Sequence, residues 1–481
     1  WSSDVCSSDL NNNKYAILKF KLSTMKNLLI KMSMLVLFSP NLFGQDEGFK
    51  LMRFDEDYTY LKDSTRNFYE SLKYIPLSED KNISLSVGGE ARGEFIHFNN
   101  EDWGSTNIGT NPFFLQRYSL HADLKLGNRV RVFTQIRSAW ESGRKNGPRP
   151  IDEDHANIQN LFVDVDVIKD EKKQLTARVG RQELNYGSGR LISVREGPNL
   201  RLYFDGAKVM YKRGNFSSDA FIMAQSTVTE GAFDNSSTKK ANLWGSYNTF
   251  TLPKETNLDV YYIGVHRDEI RYEDQFLKET RHTIGTRIWR DADGFIYNFE
   301  AAYQFGKVSR GRINAYTVSM DAGYSFAEAK GEPTVSLRVD YISGDQKTGD
   351  GKLQSFNPLF PKGGYFGFSP QVGPVNLFDI HPYATINLND KMTLQGDVVF
   401  NWRASLNDGV YKPSGNLSLA SNNSRKRYIG TAFLGSFTYN INKHFTSVTG
   451  IQYFKTGDFI NDVIENHKDG VFFNTKLTFK F

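Results

Sequence analysis

An alternation of apolar and polar residues recurs from residue 81 to the end of the chain and constrains the fold more than any other feature. Successive side chains of a β-strand point to opposite faces, so each alternating segment predicts a strand with two different faces. The segments span 83–95, 114–126, 129–140, 160–167, 174–182, 206–213, 218–226, 243–252, 258–267, 281–290, 295–305, 315–326, 334–343, 376–388, 392–403, 428–441, 445–455 and 470–481.

The connectors between these segments alternate in length. Odd-numbered connectors are mostly long: 141–159, 183–205, 227–242, 268–280, 344–375, 404–427 and 456–469. Even-numbered connectors are tight, such as GN at 127–128 and NKH at 442–444. An up-and-down membrane barrel places short turns on one side and long loops on the other, whereas a soluble sandwich or propeller has no reason to sort its loops in this way. We therefore predict an all-β fold, a transmembrane antiparallel up-and-down β-barrel of about 18 strands over residues 81–481.

The last segment, GVFFNTKLTFKF, has one mostly apolar face and one mostly polar face. Only a closed sheet avoids exposed backbone edges in hydrocarbon, so this strand is expected to close the barrel. It resembles the terminal strands of bacterial outer-membrane barrels, which commonly end on Phe. The resemblance implies that Phe481 is an assembly signal for the barrel-assembly machinery.

The region before the barrel divides into three parts. Residues 1–24 begin with WSSDVCSSDL, which resembles translated adapter sequence, and are interpreted as a non-native or untranslated-region leader. Residues 25–44 have the charged, apolar and small-residue order of a secretory signal peptide. Residues 45–80 are polar and aromatic without a clear period, and two interpretations stay open: a periplasmic extension or a plug that enters the barrel.

Composition agrees with an exported barrel and excludes other classes. The chain has 37 Phe, 24 Tyr and 6 Trp, and its only cysteine, Cys6, lies in the leader. Removing the five Lys and two Asp of residues 1–44 leaves 54 basic and 52 acidic residues, a balance that gives no reason to expect a nucleic-acid partner. No segment after the signal peptide has the ~18 consecutive apolar residues of a transmembrane helix.

Parity separates the two faces of each predicted strand. In the segment 334–343, Val335 and Leu337 fall on one face and Arg338 on the other. A charge on the lipid face near the midplane costs about 2–4 kcal/mol, so the charged face is assigned to the lumen. Eight arginines are thereby predicted to line the pore and guide the solute: Arg92, Arg117, Arg131, Arg137, Arg178, Arg287, Arg338 and Arg403. For each of them an ion pair that only strengthens the wall remains the alternative.

Three stretches, 179–209, 340–367 and 400–416, resemble the alginate-export family of outer-membrane porins, and so do the segments 52–63 and 73–78. The shared motifs are GRQ-x-L…YG…R…FDG, SGD…FNPLFP and WR-x-S…DGVY. The residues that match these motifs are Arg181, Tyr186, Arg190, Phe204, Asp205, Asp345, Phe356, Pro358, Arg403 and Asp408.

The resemblance implies an 18-stranded channel in the bacterial outer membrane that passes an anionic, alginate-like polysaccharide or oligosaccharide through a constriction lined by basic side chains. The planar guanidinium of Arg suits carboxylates, so this chemistry is plausible for uronates. Outer-membrane lipid and lipopolysaccharide are the expected surroundings. The loop over 340–376 is expected to fold either across the mouth or, as we favour, into the lumen. A general diffusion porin for small solutes is the alternative function.

An outer-membrane enzyme and a surface adhesin are the competing classes. The eight His residues fall in no recognised catalytic or zinc motif, with neither GxSxG nor HExxH present. His121 and Asp123 on one predicted lumen face favour a wall hydrogen bond over a catalytic base. An adhesin would need large external domains, which the connectors are too short to provide. We therefore predict no catalytic residue, metal or cofactor.

Overall fold

The computed structural model describes residues 48–106, 108–272, 275–309, 311–364, 366–369 and 371–481. Residues 50–481 form one compact unit, to which the following description applies. The predicted leader and signal peptide lie outside the described residues. No helix in the described part of the chain has the length and apolar character needed to cross a bilayer.

Eighteen long antiparallel strands form a closed sheet, and each strand pairs with its neighbours in sequence. The strands are β1 (Ile83–Asn99), β2 (Thr110–Leu126), β3 (Val130–Ser142), β4 (Asp154–Lys169), β5 (Lys173–Gln182), β6 (Phe204–Arg213), β7 (Phe216–Thr227), β8 (Ser236–Thr251), β9 (Asn257–Tyr272), β10 (Gln275–Arg290), β11 (Gly294–Val308), β12 (Gly311–Ser325), β13 (Thr334–Ile342), β14 (Leu377–Asn389), β15 (Met392–Arg403), β16 (Tyr428–Asn440), β17 (Phe445–Thr456) and β18 (Gly470–Lys480). Strand β18 pairs with β1 from Glu90↔Lys480 to Asn99↔Val471, which closes the barrel. The predicted 18-stranded up-and-down barrel is therefore confirmed.

The two faces of the strands differ as the alternation predicts. On β12 the outward side chains Val318 and Met320 are 43% and 53% exposed, whereas the intervening Ser319 is 1% exposed. The outer face suits hydrocarbon because its side chains are apolar, and the inner face carries the polar groups. Aromatic side chains such as Phe295 and Tyr324 remain exposed near the strand ends, where membrane barrels carry aromatic girdles.

All eighteen predicted segments overlap an observed strand, but several strands are longer than the alternating segment. The predicted long connector 268–280 is wrong, because β9 runs to Tyr272 and β10 starts at Gln275. Pairs such as Arg271↔Phe276 continue the ladder through this region. The charged residues of this segment interrupted the alternation in the sequence although the backbone pairing continues.

The remaining elements lie in the loops and before the barrel. Helix α1 (Phe68–Lys73) begins with a capping box between Asn67 and Glu70, and helix α2 (Asp458–Val463) lies in the loop before β18. Short strands are Ile75–Pro76 beside β1, Lys352–Leu353 beside β12, and the hairpin Val410–Tyr411 with Leu417–Leu419. The 3-10 turns are Arg53–Asp55, Thr59–Leu61 and Glu101–Gly104.

Residues 51–54 contact side chains of the inner wall. The ring of Phe54 packs edge-on against Phe133 and Phe162, with centroids 5.7 and 5.2 Å apart. Arg53 donates hydrogen bonds of 2.9 Å to the backbone oxygens of Gly89 and Phe481. This segment is therefore attached both to the wall and to the seam between the first and last strands.

Candidate functional site

The loop 183–203, here called the first inner loop, crosses the lumen. It leaves β5, and Tyr186 donates a hydrogen bond of 2.9 Å to Asp219 on β7. Arg190 reaches β11, β12 and β13, and Glu196 reaches β1 and β2. These strands lie on different sides of the barrel, so the loop spans its interior.

The start of the first inner loop is held by aromatic stacking. The ring of Tyr186 stacks between those of Phe221 and Tyr247, at centroid distances of 5.4 and 5.0 Å. Gly187 has a φ of +56°, and a Cβ there would lie 2.5 Å from the hydroxyl of Tyr247. Only glycine therefore allows the loop to approach the wall at this point.

Arg190 fastens the middle of the first inner loop to the opposite wall. It donates to Asp340 at 2.7 Å and to Glu300 at 3.2 Å, and also to the hydroxyl of Ser319. Burial favours the neutral form of Arg190 and lowers its pKa. The carboxylates of Asp340 and Glu300 have the larger combined effect, so the pKa of Arg190 is raised above its usual value. This family-motif residue is thus a structural anchor across the pore.

The loop 343–376, here called the second inner loop, pairs with the first. Backbone hydrogen bonds join Ser193 to Phe360 at 2.9 Å and Phe360 to Leu191 at 2.8 Å. Lys362 donates its backbone N–H to Gly189 at 2.9 Å. The second inner loop therefore folds into the lumen, as favoured from the sequence, and the paired loops narrow it.

Apolar residues of the family motifs pack where the two loops meet. Phe204 and Phe360 make an edge-to-face contact with centroids 5.1 Å apart, and Phe204 and Phe356 are almost completely buried. Pro358 is buried beside them. These residues exclude water between the loops, so they stabilise the narrowing and do not face the solute.

Two acidic motif residues connect the second inner loop to the loop 404–427. The carboxylate of Asp408 accepts hydrogen bonds from the backbone N–H of Asp345 at 2.8 Å, from Ser355 at 2.6 Å and from Tyr411 at 2.6 Å. The hydroxyl of Ser405 donates to the backbone oxygen of Asp345. Burial raises the pKa of Asp408, and these donors oppose that rise.

Arg403 stabilises the same loop 404–427. Its guanidinium donates to the backbone oxygens of Asp408 at 3.0 Å and Ser424 at 2.8 Å. It also lies 3.9 Å from the ring centroid of Phe459 on α2. With 1% of its surface exposed, Arg403 holds the loops in place and has no access to the lumen.

The other seven predicted arginines each form an ion pair with a carboxylate. The pairs are Arg92–Glu196, Arg117–Glu90, Arg131–Asp123, Arg137–Asp154, Arg178–Asp164, Arg287–Asp259 and Arg338–Asp321. The motif residues Arg181 and Asp205 form a further pair at 2.8 Å between β5 and β6. All of these pairs except Arg92–Glu196 connect neighbouring strands, which supports the alternative that these side chains strengthen the wall.

Glu196 gathers several arginines where the first inner loop meets β1 and β2. Its carboxylate lies 3.4 Å from Arg92 and 3.3 Å from Arg201, and it also pairs with Arg117. Burial acts to raise the pKa of Glu196, but the three cations outweigh it and the pKa is well below its usual range. The carboxylate therefore stays ionised and fixes the far end of the loop.

Two cations that sequence reasoning missed lie at the narrowing. Arg195 is partly exposed, and within the described chain no carboxylate lies at ion-pair distance from its guanidinium. Burial lowers the pKa of Arg195 to about 10, and the nearby cation of Arg267 acts in the same direction. Burial likewise lowers the pKa of Lys362 to about 8, together with Arg338 and Arg190.

Arg195 also has an unusual backbone conformation, which it shares with other loop residues such as Leu359. The φ of Arg195 is +56°, in the left-handed region that non-glycine residues rarely adopt. Its backbone N–H donates to the hydroxyl of Ser193 at 3.1 Å, which helps to hold the turn. Strained residues of this kind concentrate at functional sites. Loop residues lack the alternation that identified the strand arginines, so the pattern could not find Arg195.

Two cavities are lined by wall side chains together with residues of the loops and of the segment before the barrel. One of about 790 Å³ is lined by residues 54–57 and by wall side chains that include Arg131, Arg178 and Asp219. Another of about 410 Å³ is bordered by the motif residues Asp345 and Asp408. One cavity is thus bordered by the segment before the barrel and the other by the second inner loop.

Comparison with known proteins places the chain in a family. The sequence model described as alginate export matches residues 83–473. No curated protein sequence matches the chain significantly.

The fold is similar to solved outer-membrane porins. OccAB1 of Acinetobacter baumannii has a TM-score of 0.57 at 12% identity, covering 86% of this chain and 99% of that one. OccD3 (OpdP) of Pseudomonas aeruginosa has a TM-score of 0.56 at 10% identity, with coverages of 85% and 93%. OccK2 (OpdF) of the same organism, solved in complex with glucuronate, has a TM-score of 0.53 at 10% identity, with coverages of 82% and 96%.

The closed 18-stranded barrel, its apolar outer face and the family match over most of the chain agree with one another. The chain belongs to the alginate export family and is a channel of the bacterial outer membrane.

Proposed function

We propose that this channel passes an anionic polysaccharide or oligosaccharide, alginate-like in its uronate carboxylates, and that Arg195 and Lys362 receive those carboxylates at the narrowing. The proposal rests on the surroundings of the Arg195 guanidinium. This group lies on the loop that crosses the lumen, is partly exposed, and has no carboxylate partner among the described residues.

An arriving carboxylate has a physical advantage at this position. The cation of Arg267 acts on Arg195 but is itself paired with Glu279 at 2.8 Å, so an arriving anion chiefly compensates the charge of Arg195. The planar guanidinium can donate two parallel hydrogen bonds to a carboxylate. The glucuronate bound to OccK2, a structural neighbour, belongs to the same solute class.

The eight arginines predicted from the sequence take a secondary role in this proposal. Because seven of them are paired with carboxylates, their net field on a passing solute is small compared with that of an unpaired cation. The same pairing favours the alternative function, a general diffusion porin for small solutes. The family and the fold are those of a channel, and we propose transport rather than catalysis.

We also propose that the segment 45–80, of which the structure describes residues 48–80, acts as a plug at the periplasmic end. We propose further that lipopolysaccharide and lipid surround the apolar outer face of the barrel. The contacts of Arg53 and Phe54 with the inner wall support the plug, and the exposed apolar side chains of β12 support the contact of the outer face with lipid.

Single-channel recording in a planar bilayer tests the solute. The wild-type channel is expected to prefer anions and to be blocked by uronate oligosaccharides in a concentration-dependent manner, whereas neutral oligosaccharides of equal length block less. Arg195→Ala is expected to weaken the block, and Arg195→Lys to retain part of it.

Lys391→Ala is the matched control, because it removes one positive charge from an exposed turn between β14 and β15. A large, weakly selective conductance that uronate oligosaccharides do not block would instead indicate a general diffusion porin. Equal block in the wild type and in Arg195→Ala would remove Arg195 from the proposal.

A further inference from the structure

Three oxygen-bearing side chains form one row across neighbouring strands beside the narrowing. Asp340 on β13 is paired in register with Asp379 on β14, which in turn is paired with Asn401 on β15. The three residues are 0%, 0% and 1% exposed. Register partners on one face lie about 4.5–5.5 Å apart at Cβ, so these side chains are close neighbours.

Four oxygens of this row accept no hydrogen bond from any described residue. They are Oδ2 of Asp340, both oxygens of Asp379 and Oδ1 of Asn401. The remaining polar atoms of the row have hydrogen-bond partners. Oδ1 of Asp340 accepts from Arg190, and the amide nitrogen of Asn401 donates to backbone oxygens. A buried oxygen without a donor is costly, and a buried charge without a partner costs more.

The cations nearest the row already bond other carboxylates. The cations that act on Asp379 are those of Arg190 and Arg338. Arg190 already bonds both Glu300 and Asp340, and Arg338 bonds Asp321 at 2.7 Å. Two carboxyls side by side are stabilised either by a proton that they share or by an additional cation.

We propose that the row formed by Asp340, Asp379 and Asn401 is a binding site for a hard metal cation, with Ca²⁺ as the best match. The donor set consists only of carboxylate and amide oxygens, which is the chemistry that Ca²⁺ prefers. Ca²⁺ also tolerates irregular geometry and completes its shell with water. The row offers neither imidazole nor thiolate, so it does not favour Zn²⁺ or Cu²⁺.

The position of the row gives the cation a structural effect. Asp340 bonds Arg190 through one oxygen and offers the other to the cation. The cation would thus keep Asp340 ionised and aligned for the anchor of the first inner loop. Its occupancy stabilises the narrowing, whatever solute passes.

Calcium binding to the folded, full-length barrel in detergent tests the site. After treatment with a chelator, calorimetric titration is expected to show saturable binding of Ca²⁺, and Tb³⁺ is expected to give luminescence sensitised by nearby aromatic side chains. Asp379→Asn removes one charge with little change of shape and is expected to abolish both signals. Asn401→Asp adds a carboxylate and is expected to tighten binding and to make the melting temperature strongly dependent on Ca²⁺.

Glu230→Gln is the matched control. Glu230 belongs to a second group of ligand-type side chains, with Glu153 and His155, which is more exposed and lies outside the row. Binding that survives in Asp379→Asn but is lost in Glu230→Gln would overturn the proposal. A wild-type barrel that binds neither ion would also overturn it, and a higher stability of Asp379→Asn would then indicate that the two carboxyls share a proton.

Discussion

The guanidinium of Arg190 donates a hydrogen bond of 2.7 Å to Asp340, which joins the first inner loop to a strand on the far side of the lumen. The two residues are 150 positions apart in sequence, and both are buried. Since the loop is attached to β5 and β6 at its own ends, this contact fixes its middle. The contact is thus one of the anchors that set the width of the narrowing, together with those of Tyr186 and Glu196 at the two ends of the loop.

Arg190→Ala is expected to destabilise the protein and to widen the channel. Removing one partner of a buried ion pair leaves Asp340 and Glu300 uncompensated and costs about 3–5 kcal/mol. The measurements are thermal unfolding in detergent and single-channel conductance, with a lower midpoint and a larger conductance expected. Arg290→Ala is the control, because its guanidinium donates to backbone oxygens at the tight turns, such as those of Lys254 and Asp293, and not to the first inner loop among the described residues. An unchanged conductance would show that the loop is held by other contacts.

The anion preference of the channel is expected to decrease as the pH rises through about 8. Burial lowers the pKa of Lys362 to that value, so its amine is protonated below it and neutral above it. Loss of this positive charge at the narrowing reduces the field that attracts anions. Reversal potentials in a salt gradient measure the effect. Lys362→Met is expected to remove the pH dependence; a variant that titrates like the wild type would exclude Lys362 as its source.

Arg53→Ala is expected to release the segment at residues 51–54 from the barrel seam. The substitution removes the hydrogen bonds to the backbone oxygens of Gly89 and Phe481. Faster proteolysis of this segment and a larger or noisier conductance are expected. Lys62→Ala, which removes an exposed side-chain contact with Asn82, serves as the control. Equal proteolysis rates for both variants and the wild type would argue against Arg53 as the attachment point.

Deletion of Phe481 is expected to impair insertion into the outer membrane. Its backbone exchanges hydrogen bonds with Gly89 at 2.9 and 3.1 Å, which extends the ladder between β18 and β1. The yield of folded, heat-modifiable protein in membranes is the measurement, and Phe481→Tyr is expected to retain most of it. Normal assembly without Phe481 would show that the signal lies elsewhere.

Much of the fold could be predicted from local patterns. The alternation of Val335, Leu337 and Arg338 identifies a strand and its two faces because the side-chain period of a strand is a local property. The same pattern was misleading between Arg267 and Glu279, where charged residues continue a ladder beyond the alternating segment. The family motifs indicated where the inner loops lie in the sequence, but they did not predict which residues each motif residue contacts.

The sequence by itself determined the number of strands, their order and which face of a strand is charged, because these follow from a period of two and from the cost of charge in lipid. Only the tertiary structure decided which cations are compensated. Arg190 meets Glu300 and Asp340 across the lumen, whereas Arg195 meets no carboxylate among the described residues. Ion pairing depends on distances of a few ångströms between strands and loops far apart in sequence, and no local pattern encodes those distances.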